Sequence, residues 1–445
     1  MDILIKASQL LMSLSILIVL HELGHFIPAK LFKTKVEKFY LFFDPWFSVL
    51  KKKVGETEYG VGWLPLGGYV KISGMIDESM DKEQMKKKPK PWEFRAKPAW
   101  QRLIIMLGGV FVNLLLGVFI YSMTLYFYGD KYLPNENLTD GVWCVSDVGN
   151  DLGFKNGDKF LYADGEKISR FSEIPEKIIL SELITVERNG ISTDVIMPKN
   201  TIDLFLENEN RMLFYPRIPT YVNQVLEGSN AEAAGLKKND FIIKINNVST
   251  KYFDEFKKEI SRYQDEEVDL LISRGGENVL LSARVNSNGE LGFSPTNFSL
   301  TQLEKLGYYS LASHKYSFLN SFPAGYKKAM KKLTSYIDQF VLILNPNSGA
   351  YKGLGGFGAI GSMFPSSWNW EVFWNLTAFL SLMLAFMNIL PIPALDGGHV
   401  LFLIYEIIIG RPAPEKIMEY AQFVGMILLL SLLVFANAND IIRLF

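Results

Sequence analysis

The N-terminal apolar run carries two histidines and a glutamate. Residues 3–20, ILIKASQLLMSLSILIVL, lead directly into HELGH at 21–25. At membrane depth backbone polar groups must bond within their own segment, so such a run must be helical. Ionisable side chains there are expensive and are a functional signal by default. Three more stretches, 103–128, 371–391 and 421–436, are apolar enough to enter a bilayer, where a span takes roughly 20 residues. Hydrophobic residues make up 49 % of the 445, and their clustering predicts an integral membrane protein with a polar insert. A cleaved leader fits poorly, because Asp2 and a lone Lys6 make a weak basic start and cleavage would remove HELGH.

Charge sets the expected threading. Residues 30–102 hold KKK at 51–53 and KKKPK at 86–90, and such a lysine excess beside spans marks the cytoplasmic side. The N-terminus and the segment from 129 to about 300 are then outside. The net charge of -1 gives no basic field for nucleic acid. Cys144 is the only cysteine, so an intrachain disulfide and a cysteine-rich metal site are both excluded.

The insert contains a repeat. At an offset of 82, GFKNGDKFLYADGEKIS (153–169) aligns with GLKKNDFIIKINNVSTK (235–251). Each copy runs from Gly and an apolar residue through an Asp into a strand, closed by Asp164-Gly165 or Asn246-Asn247. A helical stretch and further strands follow each. The pattern AEAAGLKKNDFIIKINN resembles the PDZ domains of bacterial envelope proteases. Two tandem copies would occupy 129–215 and 216–300, either binding peptides by strand addition or serving as spacers or a gate.

His21 and His25 lie at i and i+4, on one face of a helix, and Glu22 is adjacent. This spacing suits two imidazoles on one metal with a carboxylate beside a water. A catalytic zinc takes three protein ligands. The HExxHxxGxxH arrangement is excluded by Pro28 and Leu31. The best third ligand is Asp396, in NILPIPALDGGHV (388–400). There Pro391 and Pro393 bar a regular helix and Gly397-Gly398 permit close backbone approach. Asp396 as a helix N-cap remains an alternative. His314 and His399 lack ligand-spaced partners and read as structural, and Glu406 reads as an interhelical hydrogen-bonding group. Residues 313–345 look like an amphipathic, basic connector along the outer membrane surface.

HELGH in a first span and LDG after a later one resemble the site-2 protease family of intramembrane zinc metalloproteases. The PDZ pair between them is similar to the bacterial branch that cleaves membrane-bound anti-sigma factors. GVGWLPLGGYVKISGM (60–75), FRAKPAWQRLIIMLGGVFVN (94–113) and NILPIPALDGGH (388–399) are similar to the family's other motifs. Two prolines usual in the family are replaced, by Val110 and by Phe357. The resemblance implies one Zn2+ held by His21, His25 and Asp396, with Glu22 as catalytic base. It implies substrate contact by Asn388, for which helix packing is the alternative, in the segment carrying Pro391 and Pro393.

The expected fold class is a polytopic α-helical membrane protein with about four spans, a membrane-associated β-sheet and two external PDZ domains. The expected divisions are a first span over 1–29, a cytoplasmic or re-entrant β region over 30–102 and a second span over 103–128. After the two PDZ copies come an amphipathic, Gly-rich linker over 301–370, a third span with its short helix over 371–410, and a fourth over 411–445. An edge strand near Gly60–Tyr69, including Gly67, Gly68 and Tyr69, is expected to pair with an unwound substrate. Expected partners are the lipid bilayer and single-pass membrane proteins such as anti-sigma factors, with no nucleic acid. The expected place is the bacterial inner membrane, with the PDZ domains in the periplasm. A non-enzymatic PDZ scaffold and a zinc transporter are the rival classes.

Overall fold

The computed structural model describes residues 2–65, 67–75, 88–207 and 213–442; Leu66, Lys86 and Lys87 of the segments quoted above lie outside them. Two compact units emerge. One comprises Met1–Gly129, Lys315–Leu344 and Tyr351–Phe445, and the other Asp130–His314 with Asn345–Ala350.

The first unit begins with α1 (Asp2–Leu31), which carries HELGH near its C-terminal end. A four-stranded sheet follows, made of β1 (Val36–Leu41), β2 (Phe43–Val54), β3 (Thr57–Leu64) and β4 (Tyr69–Ile72). Its order is β2-β3-β1-β4. This corrects one expectation: Gly60 to Leu64 lie in β3, an interior strand paired antiparallel with β2 and, through Gly60 and Val61, parallel with β1. The edge strands are β2 and β4, and β4 is reached through Gly67 and Gly68. Next, α2 (Ala99–Tyr128) packs against α1. The crossing is backbone to backbone: a Cβ on Gly24 would lie 2.4 Å from the Gly108 carbonyl oxygen. Small residues permit such an approach between membrane helices.

The second unit shows the repeat in three dimensions. After β5 (Asp130–Tyr132), the first half contains β6 (Val142–Cys144), β7 (Lys159–Ala163), β8 (Glu166–Lys167) and α3 (Ile174–Leu180). It ends with β9 (Leu183–Arg188), β10 (Ile191–Ile196) and β11 (Phe214–Pro216). The second half contains β12 (Val222–Val225), β13 (Phe241–Ile245), β14 (Val248–Ser249) and α4 (Phe253–Ile260). It ends with β15 (Glu267–Arg274), β16 (Glu277–Arg284) and β17 (Phe293–Pro295), and β18 (Ala312–His314) then pairs with β5.

The two sheets have the same order, β8-β7-β9-β10 and β14-β13-β15-β16, and in each half the first strand pairs with the last. Even the bulge recurs, between Phe160 and Tyr162 and between Ile242 and Lys244. Each half fills its own core, with Phe154, Phe160, Ile184 and Phe214 in the first and Ile242, Ile245, Leu270 and Ile272 in the second. Each also repeats one ion pair. Arg188 Nε and Nη2 donate to Asp158 Oδ1 and Oδ2 at 2.8 and 2.7 Å, and Arg274 does the same to Asp240 at 2.8 and 2.7 Å.

The chain returns to the first unit as α5 (Phe318–Leu344), α6 (Phe357–Ser362), α7 (Trp370–Ile389), α8 (Asp396–Ile409) and α9 (Glu415–Ile442). Beyond connecting two segments, α5 packs on α2 and α7. Lys328 Nζ donates to Asn375 Oδ1 at 2.8 Å, and the rings of Tyr336 and Phe379, and of Phe340 and Phe386, are 4.9 and 5.4 Å apart. Its small stripe of Ser321, Gly325 and Ala329 is buried, with Gly325 set against Ser122 of α2. Among the described residues four helices, α1, α2, α7 and α9, are long and apolar enough to cross a membrane.

Candidate metal centre

Two local features present the site. On α1 the helical period stacks His21 above His25. Between α7 and α8 the chain is broken at 390–395 by Pro391 and Pro393, and Asp396 opens α8 as its first residue. Leu395, not Asp396, is the cap residue, and no side chain caps that end. The carboxylate is left for another task. Gly397 and Gly398 lie against the carbonyls of Ile389, Leu390 and Ile392, where a Cβ would collide at 2.2–2.7 Å. Pro393 in turn takes Gly425 of α9 against its carbonyl. The break is therefore packed on both sides.

These elements converge on three donors. Nε2 of His21 is 3.3 Å from Nε2 of His25, and both are 3.3 Å from Oδ2 of Asp396. Donors about 2.0 Å from a tetrahedral zinc are separated by 1.633 times that distance, about 3.3 Å, so the triangle has the size such an ion requires. Asp396 Oδ2 is buried and, among the described residues, has no hydrogen-bond partner. The site thus fits a zinc ion. The His25 tautomer agrees: its Nδ1 lies 2.8 Å from the Ile105 carbonyl oxygen, which can only accept. The proton is then on Nδ1 and the Nε2 lone pair faces the triangle.

The third face of the triangle is α2. A Cβ on Gly109 would fall 2.4 Å from His25 Nε2 and 2.6 Å from His21 Cε1, so only glycine leaves both rings in place. Asn113, one turn further on, sets its side-chain amide 3.2 Å from His21 Nδ1. Asn388 at the end of α7 places Nδ2 3.4 Å from His21 Nε2.

A cavity of about 570 Å³ opens on the triangle. Of the residues expected at the site, His21, Glu22, His25, Asp396, Asn388, Gly67, Gly68 and Tyr69 line it. Pro391 and Pro393 do not, and act on the path of the chain instead. His399 lines the wall, where it had read as purely structural, beside Gln422 from α9; His314 belongs to the other unit. Glu406 is ion-paired with Arg102 of α2, away from the triangle. Gly109 and Asn113 close the 94–113 segment whose likeness to the family was read from the sequence, without a role for either; Gln422 escaped the sequence reading. The signal available was a polar residue inside an apolar helix, which is costly enough in a membrane to be noticed.

Two histidines, one of them buried, and a carboxylate at the mouth of a cavity, among helices able to cross a membrane, define a membrane metallopeptidase. The chain belongs to peptidase family M50, whose model matches residues 9–432, and it is a zinc metalloprotease of this site-2 protease family. It is 27 % identical to the "Regulator of sigma E protease" of Haemophilus influenzae, with 100 % of both chains covered. It is 26 % identical to a "Putative zinc metalloprotease" of Vibrio cholerae, again over 100 % of both. A protein of the same description from Campylobacter jejuni is 27 % identical, covering 97 % of this chain and 92 % of that one.

Proposed function

We propose that this protein hydrolyses peptide bonds within or near the spans of single-pass membrane proteins, with His21, His25 and Asp396 as zinc ligands and Glu22 as general base. The observation that carries this reading is the 3.3 Å triangle of donors beside Glu22, on a cavity walled by apolar helices. Zinc supplies a Lewis acid that acidifies a water and polarises the scissile carbonyl. Glu22 takes the proton of the attacking water and delivers it to the departing amine.

A helical substrate shields its own carbonyls, so it must be extended before attack. Strand β4 is placed to do this, since it ends the sheet and lines the cavity through Tyr69, Val70, Lys71 and Ile72. Ser73 N–H donates inward to the Lys35 carbonyl, so by strand alternation the N–H of Val70 points to the free edge. Val70→Pro is expected to slow cleavage several-fold through that lost donor while zinc content stays unchanged. Cleavage at the wild-type rate would remove β4 from the mechanism.

The relative named for sigma E regulation supports anti-sigma factors as the substrate class, and remnant signal peptides are a second class suggested by the family resemblance. The lysines at 51–53 support a cytoplasmic sheet, hence an inner-membrane protein with the duplicated unit in the periplasm. We read its halves as PDZ domains that recruit or screen substrates, on the strength of their matching topology. The deciding experiment is Glu22→Gln in the full chain: zinc is retained and cleavage of a model membrane-spanning substrate is lost. Persisting cleavage would end the assignment of Glu22. Using substrates with and without a folded external domain, the same assay reports whether the PDZ pair screens by size.

A further inference from the structure

We propose that Asn113 is the positioning residue of His21, holding the ring by accepting a hydrogen bond from Nδ1 through its side-chain carbonyl. The inference rests on His21 being a zinc ligand. Its Nε2 is the atom turned toward His25 and Asp396, and a neutral imidazole that gives the Nε2 lone pair to a metal carries its one proton on Nδ1. Nδ1 is then a donor and needs an acceptor opposite it.

Asn113 meets that need in only one of its two orientations. With Nδ2 toward the ring, at 3.2 Å, two donors face each other. Meanwhile Oδ1 is buried and, among the described residues, has no hydrogen-bond partner. A half-turn about the Cβ–Cγ bond exchanges the two nearly isosteric atoms. That one exchange gives the buried oxygen a donor and removes the clash.

The surroundings support a positioning role. Asn113 is fully buried, as is Ser381 of α7, whose Oγ donates to the Asn113 backbone carbonyl at 2.7 Å. Ile105, Gly109 and Asn113 follow one another at i, i+4 and i+8, forming one stripe of α2. The stripe serves both rings: the Ile105 carbonyl takes Nδ1–H of His25, Gly109 leaves room, and Asn113 takes Nδ1–H of His21. Acceptors behind ligating histidines fix the ring and raise its basicity.

The test is zinc affinity, measured on the purified full chain by competition with a chromogenic chelator. Asn113→Leu keeps the branching and the number of heavy atoms but has no acceptor, and is expected to weaken zinc binding about 10–100-fold. Asn113→Asp keeps an acceptor and is expected to hold zinc within a few-fold of the wild type. The proposal is overturned if the Leu variant binds zinc as the wild type does. It is equally overturned if the Asp variant loses zinc as completely as the Leu variant, because the amide would then act as a donor. His21→Ala is the control for the underlying reading. Undiminished zinc affinity there would remove His21 as a ligand and this proposal with it.

Discussion

Gly109→Ala is expected to strip the zinc from the protein and abolish cleavage, although alanine is the better helix former by about 1 kcal/mol. The added Cβ would sit 2.4 Å from His25 Nε2 and 2.6 Å from His21 Cε1, well inside normal contact distance. Nothing nearby yields easily. His25 is tied to the Ile105 carbonyl of the same helix at 2.8 Å, so moving α2 away pulls that ring along. The α1–α2 crossing is already backbone to backbone at Gly24 and Gly108. The rings must rotate, and the 3.3 Å triangle opens. Losing a support behind one ligand alone weakens metal binding about 10–100-fold, and here both rings proposed as ligands move together. Gly117→Ala is the comparison, since its new Cβ meets the movable end of Leu382 at 2.7 Å. That variant should keep most of its zinc. Stoichiometric zinc in Gly109→Ala, measured by elemental analysis with cleavage alongside, would refute the steric account.

The contrast between these two glycines shows where sequence reading reaches its limit. HELGH was legible because its spacing matches the helical period on one segment. Asp396 was legible despite lying 371 positions from His25, because prolines and glycines mark a break where no span should have one. Gly109 and Asn113 were marked only by the likeness of their segment to the family, which gave neither a role. Their meaning depends on which face of α2 meets α1, and that is decided by the close approach at Gly24. Strand pairing was obscure for a related reason. β1 pairs in parallel with β3, which β2 separates from it in the chain, so Gly60–Leu64 belong to an interior strand and the edges are β2 and β4. A local alternation of apolar residues shows that strands exist and does not order them. The amphipathic pattern of α5 likewise revealed a helix with two faces, and was silent on whether the apolar face would meet lipid or α7. The repeat was half legible. The offset of 82 that joins Asp158 to Asp240 fails for their partners, because Arg188 and Arg274 are 86 apart (274 − 188), and only the folded sheets reunite each pair.

Those pairs support the second large expected effect. Arg188→Ala should destabilise the duplicated unit by about 3 kcal/mol, and Arg274→Ala by slightly less, with zinc content unchanged. The carboxylates decide the magnitude: the Asp158 side chain is 0 % exposed and that of Asp240 is 1 %, whereas their arginines are 20 % and 31 % exposed. Removing an arginine leaves a buried charge that keeps the hydrogen bond donated by a backbone N–H, of Lys155 or Lys237. It also frees the Gly153 or Gly235 carbonyl that each guanidinium holds. Lys251→Ala is the contrasting case. It breaks a pair with Asp140 whose members are 58 % and 37 % exposed, and such a pair contributes about 0–1 kcal/mol. Thermal unfolding of the full chain in detergent, followed by protease sensitivity of the 130–314 segment, separates the cases. The double variant Asp158→Asn with Arg188→Met should recover part of the loss, because it removes the buried charge together with its partner. If Arg188→Ala unfolds like Lys251→Ala, the repeated ion pair is a marker of duplication and not a support of the fold.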